Sequence, residues 1–72
     1  MNSSNAKIIG KNIKELRLKQ KLTQKQLSEK IPMNTNYLAV YERGEHLIPS
    51  DRLAQIAKAL KVDISELTRG VK

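Results

Sequence analysis

Leu22-Thr23-Gln24-Lys25-Gln26-Leu27-Ser28-Glu29-Lys30-Ile31-Pro32-Met33-Asn34-Thr35-Asn36-Tyr37-Leu38-Ala39-Val40-Tyr41-Glu42-Arg43-Gly44 holds two helix starts, two helix stops and one apolar face. Thr23 followed three residues later by Gln26 has the form of a capping box, and Leu27 and Ile31 make an inward stripe behind it. Pro32 limits that helix, since a proline inside a helix removes a hydrogen bond and clashes with the preceding turn. Asn34 is a good cap for a second helix, which runs to about Arg43, where Gly44 can turn left-handed and end it. With a step of about 100 degrees per residue and Thr35 as zero, Leu38 and Tyr41 fall near 300 and 240 degrees. On the same wheel Asn36, Ala39, Val40 and Arg43 fall at about 100, 40, 140 and 80 degrees, on the opposite side. The outward face is therefore narrow and built mostly of short side chains, where a purely structural helix in so basic a chain would more often carry Lys and Glu.

Outward from this segment the helical signals continue in both directions. A helix from about Ala6 to Gln20 follows from Ile9, Ile13 and Leu16 at helical spacing, with Gly10 as its weak point. A fourth helix starts near Ser50 after Pro49 and carries Leu53, Ile56, Ala57 and Leu60 on one side. A fifth opens at Asp63, with Glu66 three residues on as a second capping box, and is expected to bury Ile64 and Leu67. No segment alternates like a strand, so the fold class is all-α with five helices. At 72 residues the chain is read as a single domain, 1–72, with the helix, turn and helix at about 23–43 and short flexible ends at 1–5 and 69–72.

Composition narrows what such a domain does. The net charge is +7 and the isoelectric point about 10.0. The charge is lopsided: residues 1–30 carry eight basic residues against two acids, a surplus of +6, and residues 31–72 carry six against five. That asymmetry favours a polyanionic partner, nucleic acid before an anionic membrane surface. There is no cysteine, which excludes a disulfide framework and a thiolate metal site and suits a reducing cytoplasm. His46 has no second histidine beside it, so no metal site is expected. No apolar run approaches a membrane span, and the polar start lacks the apolar core of a signal peptide, so a soluble cytoplasmic protein is expected. Paired carboxylates, a nucleophile with its base and a phosphate-cradling glycine loop are all missing, so no catalytic residues, enzyme activity or cofactor are expected.

A narrow outward face of this kind fits a major groove about 12 Å wide. Asn36 can pair bidentately with adenine, Thr35 can hydrogen-bond several bases, and Val40 or the Thr35 methyl can touch a thymine methyl. Leu22-Thr-Gln-Lys-Gln-Leu27 and Tyr37-Leu-Ala-Val-Tyr-Glu-Arg-Gly44, with Ile56-Ala-Lys-Ala-Leu-Lys-Val-Asp-Ile-Ser-Glu-Leu67 behind them, resemble the helix-turn-helix family of lambda-type repressors, Cro proteins and xenobiotic-response-element regulators. The resemblance covers about Ile9 to Leu67. It implies that Gln24 binds a DNA phosphate and braces the recognition helix, that Thr35, Asn36 and Val40 face the bases, and that Tyr37 and Arg43 lie near the backbone. With Lys25 as a further phosphate contact, these residues set the register. The resemblance also implies a structural pair between Arg17 and Glu42.

Two positions depart from the family. Pro32 stands where Gly is usual, and its φ near −65° is expected to exclude the left-handed turn that Gly allows. Val40 stands where a long polar side chain is common. Leu47 and Ile48 are adjacent apolar loop residues: Ile48 before Pro49 is expected to fold under, while an exposed Leu47 would serve a protein interface. The resemblance implies a homodimer on a double-stranded DNA operator. The function so read is a Cro- or repressor-type transcriptional regulator of phage or bacterial kind. The alternatives are a heteromer with a repressor protein, as a small antirepressor or modulator, and an antitoxin of a toxin–antitoxin pair.

Overall fold

In the computed structural model, which describes residues 3–71, the chain forms five helices and, among the described residues, no strand. They are α1 (Ser3–Lys19), α2 (Gln24–Lys30), α3 (Thr35–Arg43), α4 (Ser50–Leu60) and α5 (Ile64–Leu67). Residues 1, 2 and 72, which belong to the ends expected to be flexible, lie outside the described residues. Helix α1 begins three residues before the expected Ala6, and at the other end Val71 packs against the core.

The apolar stripes converge as their spacing requires. Ile9 and Ile13 of α1, Leu27 of α2 with Ile31 at its end, Leu38 of α3, Ile56, Ala57 and Leu60 of α4 and Leu67 of α5 form one buried cluster. Fully burying each large aliphatic side chain contributes about 1.5–3 kcal/mol. Helix α3 packs between α1 and α2, α4 packs against α2 and α5, and α5 returns to α1. Two side-chain amides tie the chain's ends together: Asn12 Nδ2 donates to the carbonyls of Leu67 and Arg69, both at 2.9 Å, and Gln20 Nε2 donates to Leu60 O at 2.7 Å.

Gly10 has a reason that helix propensity hides. A Cβ there would stand 2.3 Å from Tyr41 O and 2.7 Å from Glu42 O. The last turn of α3 therefore rests directly on the backbone of α1, and the propensity loss of about 1 kcal/mol is the cost of that approach.

The capping chemistry of α2 and α3 is as the residues specify. Thr23 Oγ1 accepts from Gln26 N at 3.0 Å while Gln26 Oε1 accepts from Thr23 N at 2.8 Å, and Asn34 Oδ1 accepts from Asn36 N at 2.7 Å. The start of α5 differs from expectation. Asp63 makes no side-chain cap bond, Glu66 reaches forward to Arg69 instead of back, and Ile64 is 43% exposed rather than buried. A four-residue helix has room to turn one side chain, Leu67, into the core.

The turn after α2 is held by the backbone. A 6→1 hydrogen bond closes this turn without a donor from Pro32: Met33 N donates to Ser28 O at 3.1 Å, and Met33 packs against the core.

Candidate functional site

Helix α3 presents the face that its residue spacing anticipates. Leu38 is fully buried, whereas Asn36, Tyr37 (61% exposed) and Arg43 are exposed and Ala39 and Val40 are half-buried. Asn34, Asn36, Tyr37 and Val40 line a shallow notch on this surface. Val40 gives it an aliphatic wall and Asn34 and Asn36 give it two amides, a lining that can take up a methyl group while hydrogen-bonding the edge beside it.

Behind that face lies a buried brace. Arg17 Nε donates to Glu42 Oε2 at 2.7 Å and Arg17 Nη2 to Glu42 Oε1 at 3.0 Å, a two-pronged pair whose side chains are 8% and 2% exposed. Arg17 Nη1 donates to Leu22 O at 2.7 Å, and Gln24 Nε2 donates to Glu42 Oε1 at 3.0 Å. The Arg17–Glu42 pair thus joins α1, the α1–α2 turn, the start of α2 and the end of α3. Removing one partner from such a pair strands a buried charge, at a cost of about 3–5 kcal/mol. Among the described residues no buried side-chain polar atom lacks a partner.

Other site residues fall as follows. Lys25 is exposed on α2 beside the half-buried Gln24, whose amide keeps a second hydrogen for a ligand. Thr35 is half-buried, and its Oγ1 lies 2.8 Å from Ser28 Oγ, so its hydroxyl faces α2 as well as the surface. Arg43 is held by Glu45 across the end of α3, with Nε donating to Oε2 at 2.8 Å and Nη2 to Oε1 at 3.1 Å. That hydrogen bond to Arg43 holds the Glu45 carboxyl below its ordinary range and raises Arg43 above its own. Ile48 turns under and packs on the core, while Leu47 remains 37% exposed.

Two further residues, Ser28 and Glu45, belong to the site. Ser28 is buried on the same side of α2 as Leu27 and Ile31, and a lone hydroxyl on an apolar stripe was its signal. Glu45 reaches Arg43 only because Gly44, at φ 73°, folds the chain back, and nothing in the local spacing marks that pair.

Among the described residues no group of three or more His, Cys, Asp or Glu is placed to hold a metal ion, and no helix is long and apolar enough to cross a membrane.

The chain is 37% identical over 59 residues to an immunity repressor protein of Bacillus phage phi105, covering 82% of this chain but only 41% of the length of that repressor. In three dimensions it is similar to the restriction-modification controller protein C.AhdI from Aeromonas hydrophila, with a TM-score of 0.86 at 25% identity over 89% of this chain and 97% of that one. It is also similar to the DNA-binding domain of BldD, with a TM-score of 0.85 at 30% identity over 94% and 99% of the two chains. Residues 13–67, from the middle of α1 to the end of α5, match the helix-turn-helix family. With its capped α2 and α3, its braced outward helix face and this match, the chain belongs to the Cro/C1-type helix-turn-helix family.

Proposed function

We propose that this chain is a DNA-binding transcriptional regulator of Cro/repressor type, with α3 entering the major groove of a double-stranded operator. The observation that carries the proposal is the outward face of α3, polar and short-chained, held rigidly from behind by Glu42, Arg17 and Gln24. In this reading Asn36 and Thr35 read base edges, and Val40 in its notch receives a thymine methyl. Gln24, Lys25, Tyr37 and Arg43 contact phosphates and set the register. The names of its relatives, a phage immunity repressor, a restriction-modification controller and a DNA-binding domain, agree with this assignment.

The regulator works as a homodimer. The longest extent of the chain is 29 Å, so one copy cannot place helices in successive major grooves about 34 Å apart. Leu47 is the apolar side chain offered for that contact, and Ile64, exposed on the short α5, is a second.

Footprinting on DNA from the protein's own gene neighbourhood, at physiological salt, tests the proposal. Tight protection of a two-fold symmetric site is expected, and Asn36→Ala should lose about 1–3 kcal/mol on that site with little change on random DNA. Equal loss on both would remove Asn36 from the readers. Weak binding alone, with a stoichiometric complex formed on adding a neighbouring repressor, would replace the proposal by a modulator that acts on protein.

A further inference from the structure

We infer that Ser28 fixes the hydrogen-bonding polarity of Thr35, so that Thr35 accepts hydrogen bonds from DNA bases and does not donate to them. The inference rests on α3 being the base-reading helix. It follows from counting protons in a two-hydroxyl chain that links α2 to the first residue of α3.

A hydroxyl has one proton to give and two lone pairs to receive with. Ser28 Oγ lies 2.9 Å from the carbonyl oxygen of Lys25, one turn back on α2, and a carbonyl can only accept. The single Ser28 proton is therefore spent on Lys25. Ser28 Oγ also lies 2.8 Å from Thr35 Oγ1, and this second bond needs a proton that Ser28 no longer has. Thr35 supplies it. Running the chain the other way would set the Lys25 carbonyl 2.9 Å from a Ser28 lone pair, on a side chain that is 1% exposed.

What Thr35 keeps for a ligand is its remaining lone-pair density and its methyl group. In the major groove adenine N6 and cytosine N4 donate, whereas guanine N7 and O6, thymine O4 and adenine N7 accept. A threonine free to rotate can suit either kind. A threonine whose proton is committed to Ser28 matches the amino groups alone. Ser28, which touches no DNA in this arrangement, is thus a positioning residue for specificity, and a side chain that could have been an indifferent reader becomes a one-sided one.

The test uses the whole chain and an operator selected from random duplexes, with Thr35→Val identifying the base that Thr35 faces. Adenine or cytosine is expected at that base. Deleting its amino group, with purine for adenine or 2-pyrimidinone for cytosine, should weaken wild-type binding about three- to tenfold, the scale of one hydrogen bond. If the base is adenine, 7-deaza-adenine, which removes the acceptor N7, should bind wild type unchanged. Ser28→Ala frees the Thr35 proton, so guanine should then be tolerated at that base about three- to tenfold better than by wild type. Thermal melting shows whether Ser28→Ala is folded; if it is not, the wild-type base identity and analogue series decide the question alone. Guanine or thymine as the selected base, or a loss with 7-deaza-adenine equal to the loss with purine, overturns the inference. If Thr35→Val changes preference at no position, the base-reading role of Thr35 fails instead, a different and recognisable result.

Discussion

The ends of α2 and α3 are closed by the same backbone motif with opposite residues in its critical position. After α3, Glu45 N donates to Val40 O at 3.2 Å and Gly44 N to Tyr41 O at 3.0 Å, the 6→1 and 5→2 bonds of a Schellman closure, with Gly44 at φ 73°. After α2 the 6→1 bond is present between Met33 N and Ser28 O, but the place of Gly44 is taken by Pro32, whose ring opposes a positive φ and which has no N–H with which to make the second bond. The turn that leads into α3 is therefore the weaker of the two. The ends of α1 and α4 follow the Gly44 pattern with lysine in its place, Lys21 at φ 60° and Lys61 at φ 59°. At the two lysines the hydrogen-bond pattern sets the conformation, at a cost of about 1–2 kcal/mol for a residue with a Cβ.

The sharpest way to break the comparison is to put a side chain where none fits. Gly44→Ala adds a Cβ 2.5 Å from Lys7 Cα, a backbone atom of α1 that cannot step aside, in addition to the cost of the positive φ. The expected loss is about 2–5 kcal/mol, combining left-handed strain with overpacking. Urea denaturation measures it. A loss under 1 kcal/mol would mean that α1 and α3 separate easily at Lys7, and the brace described above would not be rigid.

The reverse exchange tests the other turn. Pro32→Gly removes the ring's opposition to a positive φ and provides the N–H for a 5→2 bond to Glu29 O, each worth about 1 kcal/mol or somewhat more. Against this, the unfolded chain regains freedom that proline had withheld, about 1 kcal/mol or slightly above. We expect a net gain of about 1 kcal/mol by urea denaturation. A net loss of that size would show that the unfolded-state effect acts alone and that Pro32 is at ease in its turn.

These turns also show where sequence reasoning reaches and where it stops. The starts of α2 and α3 were legible because Thr23, Gln26 and Asn34 bond within three residues of themselves, and Gly44 was legible because one residue type dominates its position. Lys21 and Lys61 carry no such mark, since their conformation comes from bonds between their neighbours. Gly10 was read as a flaw because its partners, Tyr41 and Glu42, lie in another helix. The Arg17–Glu42 pair was reached through family resemblance; spacing alone does not bring residues so far apart in the chain together. The failed box at α5 has a local cause: Glu66 had Arg69 within reach, and the pair it forms there competes with the return to Asp63.

The residue after Pro32 and the residue after Gly44 divide the two closures once more, and give the smallest effect. Met33 turns into the core, the apolar contact usual for this motif, whereas Glu45 turns outward and grips Arg43. If Arg43 is a phosphate contact, it must exchange a carboxylate for a phosphate on binding, and Glu45 holds affinity down. Acidity would reach the same result, but only below the ordinary carboxylate range. Glu45 is lowered by its bond to Arg43, so the pair is intact above its ordinary pKa and is lost as pH falls through the depressed value. Near neutral pH this pair should leave binding independent of pH. Glu45→Gln imitates the released state there: binding to any duplex should tighten several-fold, and the plot of log K against log salt should steepen by about 0.9, the share of one phosphate. Removing an acid near DNA would also strengthen binding without Arg43, so the deciding measurement is the same change in an Arg43→Gln background. If Glu45 acts through Arg43, the gain disappears there; if it persists in full, Glu45 repels the duplex on its own and the ion pair is only a feature of the free protein.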